Sequence, residues 1–158
     1  MRFPTVDGRS LEGTSLILPR DLPAELTLAL IAFQQSHQSC VDRWIAQAEA
    51  AGIPGSPRDM NDADERCVVE IPVLSTRWRL GRSFIDGGMA ANIKVPRVLA
   101  RTITVYTDVR AFQMPLGIQD SAEVNACVVR RTGEVLVRVS GEPTPSNWAV
   151  IAEAMGVA

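Results

Sequence analysis

The hydrophobic residues of this 158-residue chain fall into short runs that turn signals separate. Two runs, residues 27–33 (TLALIAF) and 67–74 (CVVEIPVL), are almost continuously apolar. Strands that helices cover on both faces have this pattern, whereas half-exposed strands alternate apolar and polar residues. We therefore predict that both runs are central strands of one sheet.

The stretch between these runs is helical in pattern. In residues 39–51 the apolar side chains recur at a spacing of three and four, and Gly52 and Pro54 follow. Residues 56–66 are charged and predict a surface loop. The remaining predicted elements are a short strand at 15–18 after turns at Asp7-Gly8 and Glu12-Gly13, a helix at 76–93, a strand at 102–107, a helix at 109–114, a hairpin of strands 125–129 and 134–139, and a helix at 146–155.

Strands that alternate with helices, followed by a hairpin and a helix, predict an α/β sandwich around a central mixed sheet. Parallel neighbours require long right-handed crossover connections, which the helices supply. We expect five strands in this sheet and one domain over residues 1–158. A chain of this length buries enough apolar surface to fold without a metal or a disulfide.

The net charge and the cysteine content of the chain restrict the range of functions that it could have. Sixteen basic and eighteen acidic residues give a net charge of −2, which argues against a general nucleic-acid binder. No stretch reaches the roughly 20 apolar residues of a membrane-spanning helix, so we expect no membrane insertion and a cytoplasmic location. Cys40, Cys67 and Cys127 are far apart and form no CxxC pair, which predicts reduced thiols, no metal and no cofactor.

A polar cluster follows the first central strand. Ligands of open α/β sheets bind at the carboxyl ends of the strands, and amide side chains offer both donors and acceptors there. These residues predict a groove for a peptide or a small polar ligand, with a merely solvated loop as the alternative. They are Gln34, Gln35, Ser36, Gln38 and Ser39.

Cys40 and His37 are the candidates for catalysis. A cysteine in the first turn of a helix can ionise to a nucleophilic thiolate, and a histidine three residues away can act as its base. The alternatives are a cysteine packed in the core beside Trp44 and a histidine bonded to backbone. Farther along, Trp78 and Arg82 could contact an anionic ligand, or else Arg82 pairs with Asp86 on a surface helix.

Three segments together resemble the thioredoxin superfamily: residues 31–44 (IAFQQSHQSCVDRW), 104–118 (TVYTDVRAFQMPLGI) and 127–141 (CVVRRTGEVLVRVSG). The branch they resemble contains peroxiredoxin-like (AhpC/TSA-type) and TlpA-like proteins. The first and last segments are also similar to the mitochondrial ATP-synthase assembly-factor family. The resemblance implies a thioredoxin-like α/β/α sandwich and, for the assembly factors, action by contact rather than by redox turnover.

Within this resemblance the redox residues of the superfamily are replaced. Gln38 falls where the attacking cysteine of a CxxC pair would lie, and Val41 falls where the resolving cysteine would lie. Val124 takes the place of the cis-proline. A cis bond before a residue other than proline would cost about 3 kcal/mol, so we expect a trans peptide there.

Three hypotheses follow. The first is a redox-inactive thioredoxin-like protein that binds a peptide, a partner protein or a small polar ligand at the loop after the first core strand. The second is a single-cysteine thiol oxidoreductase or peroxidase that uses Cys40. The third is a redox-independent enzyme with His37 as base and an arginine-bound anionic substrate. A homodimer is left open.

Overall fold

The structure, a computed structural model, describes residues 1–76 and 95–157. Within these residues the chain forms seven strands and four α-helices. The strands are β1 (Val6–Ser10), β2 (Ser15–Leu18), β3 (Leu26–Ala32), β4 (Arg66–Ser75), β5 (Ile103–Thr107), β6 (Asn125–Arg130) and β7 (Val135–Ser140), and the helices are α1 (Gln38–Ala50), α2 (Pro96–Arg101), α3 (Val109–Gln113) and α4 (Pro145–Met155).

All seven strands belong to one open sheet in the order β2-β1-β5-β4-β3-β6-β7. The central strands β3, β4 and β5 are parallel, and every other neighbouring pair is antiparallel. β3 and β4 are buried along most of their length, as their continuous apolar runs predict. The sheet is therefore mixed, with the parallel strands at its centre.

Each face of the sheet has its own apolar layer. On one face α1 and α4 cover residues that include Leu28, Leu30 and Val68. The residues that alternate with these along β3 and β4 point to the opposite face and include Ala29, Ile31 and Val69. There they belong to one apolar cluster with Phe112 of α3 and with Leu116, which follows α3. This arrangement confirms the predicted α/β sandwich with a terminal hairpin and helix.

The predicted number of strands was wrong, because the N-terminal hairpin of β1 and β2 extends the sheet beside β5. Asp7-Gly8 suggested a turn, yet both residues lie inside β1. Gly8 is buried, and a Cβ atom on it would approach Ile103 Cγ2 to 2.7 Å. Glycine is therefore required here by the close approach of β5 rather than by a turn.

The predicted helix at 76–93 lies almost entirely outside the described residues. Within the described ranges, no helix has the length and apolar character that crossing a membrane requires.

Candidate functional site

The parallel strands β3, β4 and β5 end at one edge of the sheet, where β6 begins. After β3 the chain makes one turn of 3-10 helix, Gln35–His37, and then enters α1. The five residues of the predicted polar cluster lie in this connection, and all are exposed: Gln34, Gln35, Ser36, Gln38 and Ser39. The other two predicted ligand-binding residues, Trp78 and Arg82, lie outside the described residues.

Gln34 ties the 34–40 loop to the segment that precedes β6. Its Nε2 donates to the carbonyl oxygen of Ser121 at 2.9 Å, while its Oε1 accepts from the hydroxyl of Ser36 at 3.3 Å. The Ser121 hydroxyl in turn accepts from Gln113 Nε2 at 2.9 Å. These hydrogen bonds fix the exposed loop against its neighbour, so the loop presents a defined surface.

Gln38, the first residue of α1, is held by two carboxyl groups. Its Nε2 donates to Asp42 Oδ1 at 2.9 Å and to Glu70 Oε1 at 3.4 Å. Gln35 and Ser39 are exposed, and their side chains make no hydrogen bond with the described residues. The loop therefore contains fixed amides beside side chains that are available to a ligand.

His37 is buried, and both of its ring nitrogens face backbone groups. Nδ1 accepts from the amide of Phe33 at 3.1 Å, and Nε2 lies 3.2 Å from the carbonyl oxygen of Ala122. Since Nδ1 is an acceptor, the proton of the neutral ring is on Nε2, which donates to Ala122. A ring occupied in this way has no nitrogen left to take a proton from a substrate, so the geometry favours the structural role over that of a base.

Cys40 lies in the first turn of α1, as predicted, but its side chain points into the core. It is 8% exposed, and its Sγ lies 3.5 Å from the carbonyl oxygen of Gly141. The same carbonyl accepts from Trp44 Nε1 at 2.8 Å. Burial, followed by the nearby Glu142, raises the pKa of Cys40 to about 12. The geometry thus favours a protonated core thiol over a nucleophile.

The other two thiols are in a similar state. Cys67 and Cys127 are fully buried in β4 and β6, and burial raises the pKa of each to about 12. All three cysteines are free, as the sequence predicts. The peptide before Val124 is trans, since Leu18–Pro19 is the only cis bond in the part of the chain that the structure describes.

A buried ion pair that the sequence pattern did not predict lies directly beneath the loop. Glu70 on β4 and Arg101 at the end of α2 have side chains only 5% and 9% exposed, and Arg101 Nε lies 3.2 Å from Glu70 Oε2. Arg101 also donates to the carbonyl oxygen of Gly55. A glutamate inside the apolar run CVVEIPVL was the signal for such a pair, because an ionised side chain in a buried strand needs a partner.

Two further polar residues at this edge stabilise structure. The Asp108 carboxylate accepts from the amide of Ala111 and caps α3, and Arg110 donates to the carbonyl oxygens of Ile118 and Gln119 at 2.9 and 3.1 Å. These groups are already occupied by the chain itself. They fix the loop that follows α3.

A cavity of about 680 Å³ lies elsewhere, on the side of the sheet formed by β1, β2 and β5. Its lining includes Arg9 and Arg20 but no residue of the 34–40 loop. The third hypothesis requires His37 beside an arginine-lined pocket, and the described residues do not bring these features together.

Comparison with solved structures gives extensive matches at low sequence identity. The exposed lipoprotein thioredoxin Etrx1 of Streptococcus pneumoniae is 10% identical, with 97% of this chain and 99% of that chain covered and a TM-score of 0.57. BsSco, of the Sco family of cytochrome c oxidase assembly proteins, is 14% identical over 98% and 92% of the two chains, with a TM-score of 0.60. StoA from Bacillus subtilis is 12% identical over 97% of each chain, with a TM-score of 0.53.

No protein-family model and no curated protein sequence matches this chain. The match in shape extends over nearly the whole chain, which forms a mixed sheet with helices on both faces. The chain therefore has the thioredoxin-like fold.

Proposed function

We propose that this protein uses the thioredoxin-like fold to bind a peptide segment of a partner protein at the 34–40 loop, and that it does not exchange disulfides. The observation that carries the proposal is that the chain has no CxxC pair and that the thiol next to the loop, Cys40, is turned into the core, while the exposed amide of Gln38 is held by hydrogen bonds. Thiol chemistry requires an accessible thiolate, and a buried thiol does not supply one.

The position and chemistry of the loop support binding. It lies at the carboxyl ends of the central parallel strands, where proteins with open α/β sheets bind their ligands. Gln34 and Gln38 are fixed by hydrogen bonds before a ligand binds, so ordering their side chains on binding would cost little entropy. The resemblance to the ATP-synthase assembly factors, and the assembly family to which BsSco belongs, favour a protein partner over a small molecule.

Selection from a phage-displayed library of random peptides tests this proposal. The purified protein is the target, and the double variant Gln34→Ala/Gln38→Ala is the comparison. We expect peptides that bind the wild-type protein and lose affinity for the double variant by about tenfold or more, because at least about 1.4 kcal/mol of contact energy is removed.

Gln47→Ala provides the matched control. Gln47 is a half-buried glutamine on α1 itself, and its side chain makes no hydrogen bond with the described residues. It follows Gln38 by nine residues, which places it about 13 Å farther along the helix. The affinity of this variant for the same peptides should equal that of the wild type.

Two outcomes count against the proposal. Selected peptides that bind the double variant as tightly as the wild type would place the binding surface elsewhere. A selection that yields no binding peptide would refute the proposal.

A further inference from the structure

The ion pair beneath the loop leaves one carboxyl oxygen available on the side of α1. Glu70 is 4% exposed in the middle of β4, on the face that α1 covers. Its Oε2 accepts from Arg101, whereas its Oε1 faces Gln38. The buried charge therefore contacts the loop through a single oxygen atom.

That oxygen and the carboxylate of Asp42 determine which end of the Gln38 amide points inward. Ionised carboxylates only accept hydrogen bonds, and Gln38 Nε2 lies 2.9 Å from Asp42 Oδ1 and 3.4 Å from Glu70 Oε1. Both N–H groups of the amide are directed to these acceptors. The opposite orientation would bring the amide oxygen against two negative charges, so the chemistry of the partners fixes the assignment.

We propose that Glu70 and Asp42 are positioning residues which turn the carbonyl oxygen of Gln38 toward the ligand, so that the loop selects peptides that offer an N–H donor at this point. This inference rests on the proposed function and names the chemistry of its ligand. A positively charged donor fits best, since Asp42 adds a negative charge whose only hydrogen bond among the described residues comes from Gln38. The expected contact is therefore the side chain of an arginine or a lysine in the bound peptide.

This orientation of the Gln38 amide depends on the ionised state of Glu70. The groups that face it are Arg101 from α2 and Gln38 and Asp42 from α1. Burial raises the pKa of Glu70 above its usual value, while Arg101 and the amide of Gln38 oppose that rise. Once protonated, Glu70 offers an O–H donor, which the carbonyl oxygen of Gln38 can accept.

NMR of the side-chain amides tests the positioning without any ligand. At neutral pH the ¹⁵N-bound amide protons of Gln38 should resonate downfield of those of Gln47, whose amide on the same helix contacts no carboxylate among the described residues. The Gln38 signals should then shift as the pH is lowered, with one component whose midpoint lies above the ordinary glutamate value of about 4.3. Glu70→Gln should abolish this component, whereas Asp62→Asn, an exposed carboxyl elsewhere, should leave it intact.

If Glu70→Gln does not fold, the titration of the wild-type protein and of Asp42→Asn still decides the question. Asp42→Asn should retain the component that belongs to Glu70. Gln38 signals that coincide with those of Gln47 at neutral pH, or that do not titrate, would overturn the positioning.

The library selection tests the ligand chemistry separately. Peptides that depend on Gln38 should be enriched in arginine and lysine over aspartate and glutamate by about tenfold or more. Enrichment of acidic peptides would overturn the inference and leave the binding proposal standing. Absence of any selected peptide, together with the expected NMR titration, would refute the binding function and leave the amide geometry standing.

Discussion

Replacement of His37 distinguishes a structural histidine from a catalytic base. In His37→Ala the Phe33 amide loses its acceptor and the Ala122 carbonyl loses its donor. A buried group left without a partner costs about 1–3 kcal/mol. Phe33 is buried, so its amide carries the full cost, whereas Ala122 is exposed and can turn its carbonyl to water. With the lost packing of the ring, we expect a loss of about 2–4 kcal/mol in the free energy of unfolding.

Urea denaturation followed by circular dichroism measures this loss. Ser36→Ala is the matched control, because Ser36 is the exposed neighbour and its hydroxyl bonds only Gln34 among the described residues, so its midpoint should barely move. His37→Gln should recover part of the stability, since its amide offers an acceptor and a donor but cannot act as a base. Unfolding of His37→Ala at the same urea concentration as the wild type would refute the structural role of His37.

Two other substitutions test the packing that positions the site. Gly8→Ala should destabilise the protein by about 1–3 kcal/mol, because the new methyl group would overlap Ile103 at 2.7 Å; an unchanged melting temperature would contradict the pairing of β1 with β5. Trp44→Phe removes the 2.8 Å hydrogen bond to Gly141 and leaves this carbonyl only the weak thiol donor of Cys40 at 3.5 Å, so it should cost about 1–3 kcal/mol in urea denaturation; a neutral result would mean that the thiol alone satisfies the carbonyl.

Most of the fold could be predicted from local sequence patterns. The predicted strand at residues 27–33 and the predicted helix at 39–51 agree with β3 and α1 to within one residue at each end. Burial on both faces and helical periodicity both show in the pattern of residues close together in the sequence, so these two elements could be predicted. β1 was missed because its Asp7-Gly8 pair is a strong turn signal. The need for a glycine there arises from Ile103, which is distant in sequence.

The chemistry of the site was harder to predict than its position. The polar loop lies where the strand order places it, but the states of its two reactive residues depend on distant backbone. His37 contacts Ala122, 85 positions away, and Cys40 contacts Gly141, 101 positions away. Neither partner contributes a side chain to the contact, so residue types alone cannot reveal it. Glu70, by contrast, was visible as a charge in an apolar strand.

The rate at which iodoacetamide alkylates Cys40 in the native protein at pH 7 tests the central claim most directly. With a pKa raised to about 12, far less of the thiol is ionised at that pH than the roughly 3% of a free cysteine, so alkylation should be at least about a hundredfold slower than that of a small free thiol. Mass spectrometry of the Cys40 peptide measures this rate, and unfolding in urea should restore ordinary reactivity. Native Cys40 that reacts as fast as the free thiol, or faster, would contradict the account and favour the hypothesis of a single-cysteine thiol oxidoreductase or peroxidase.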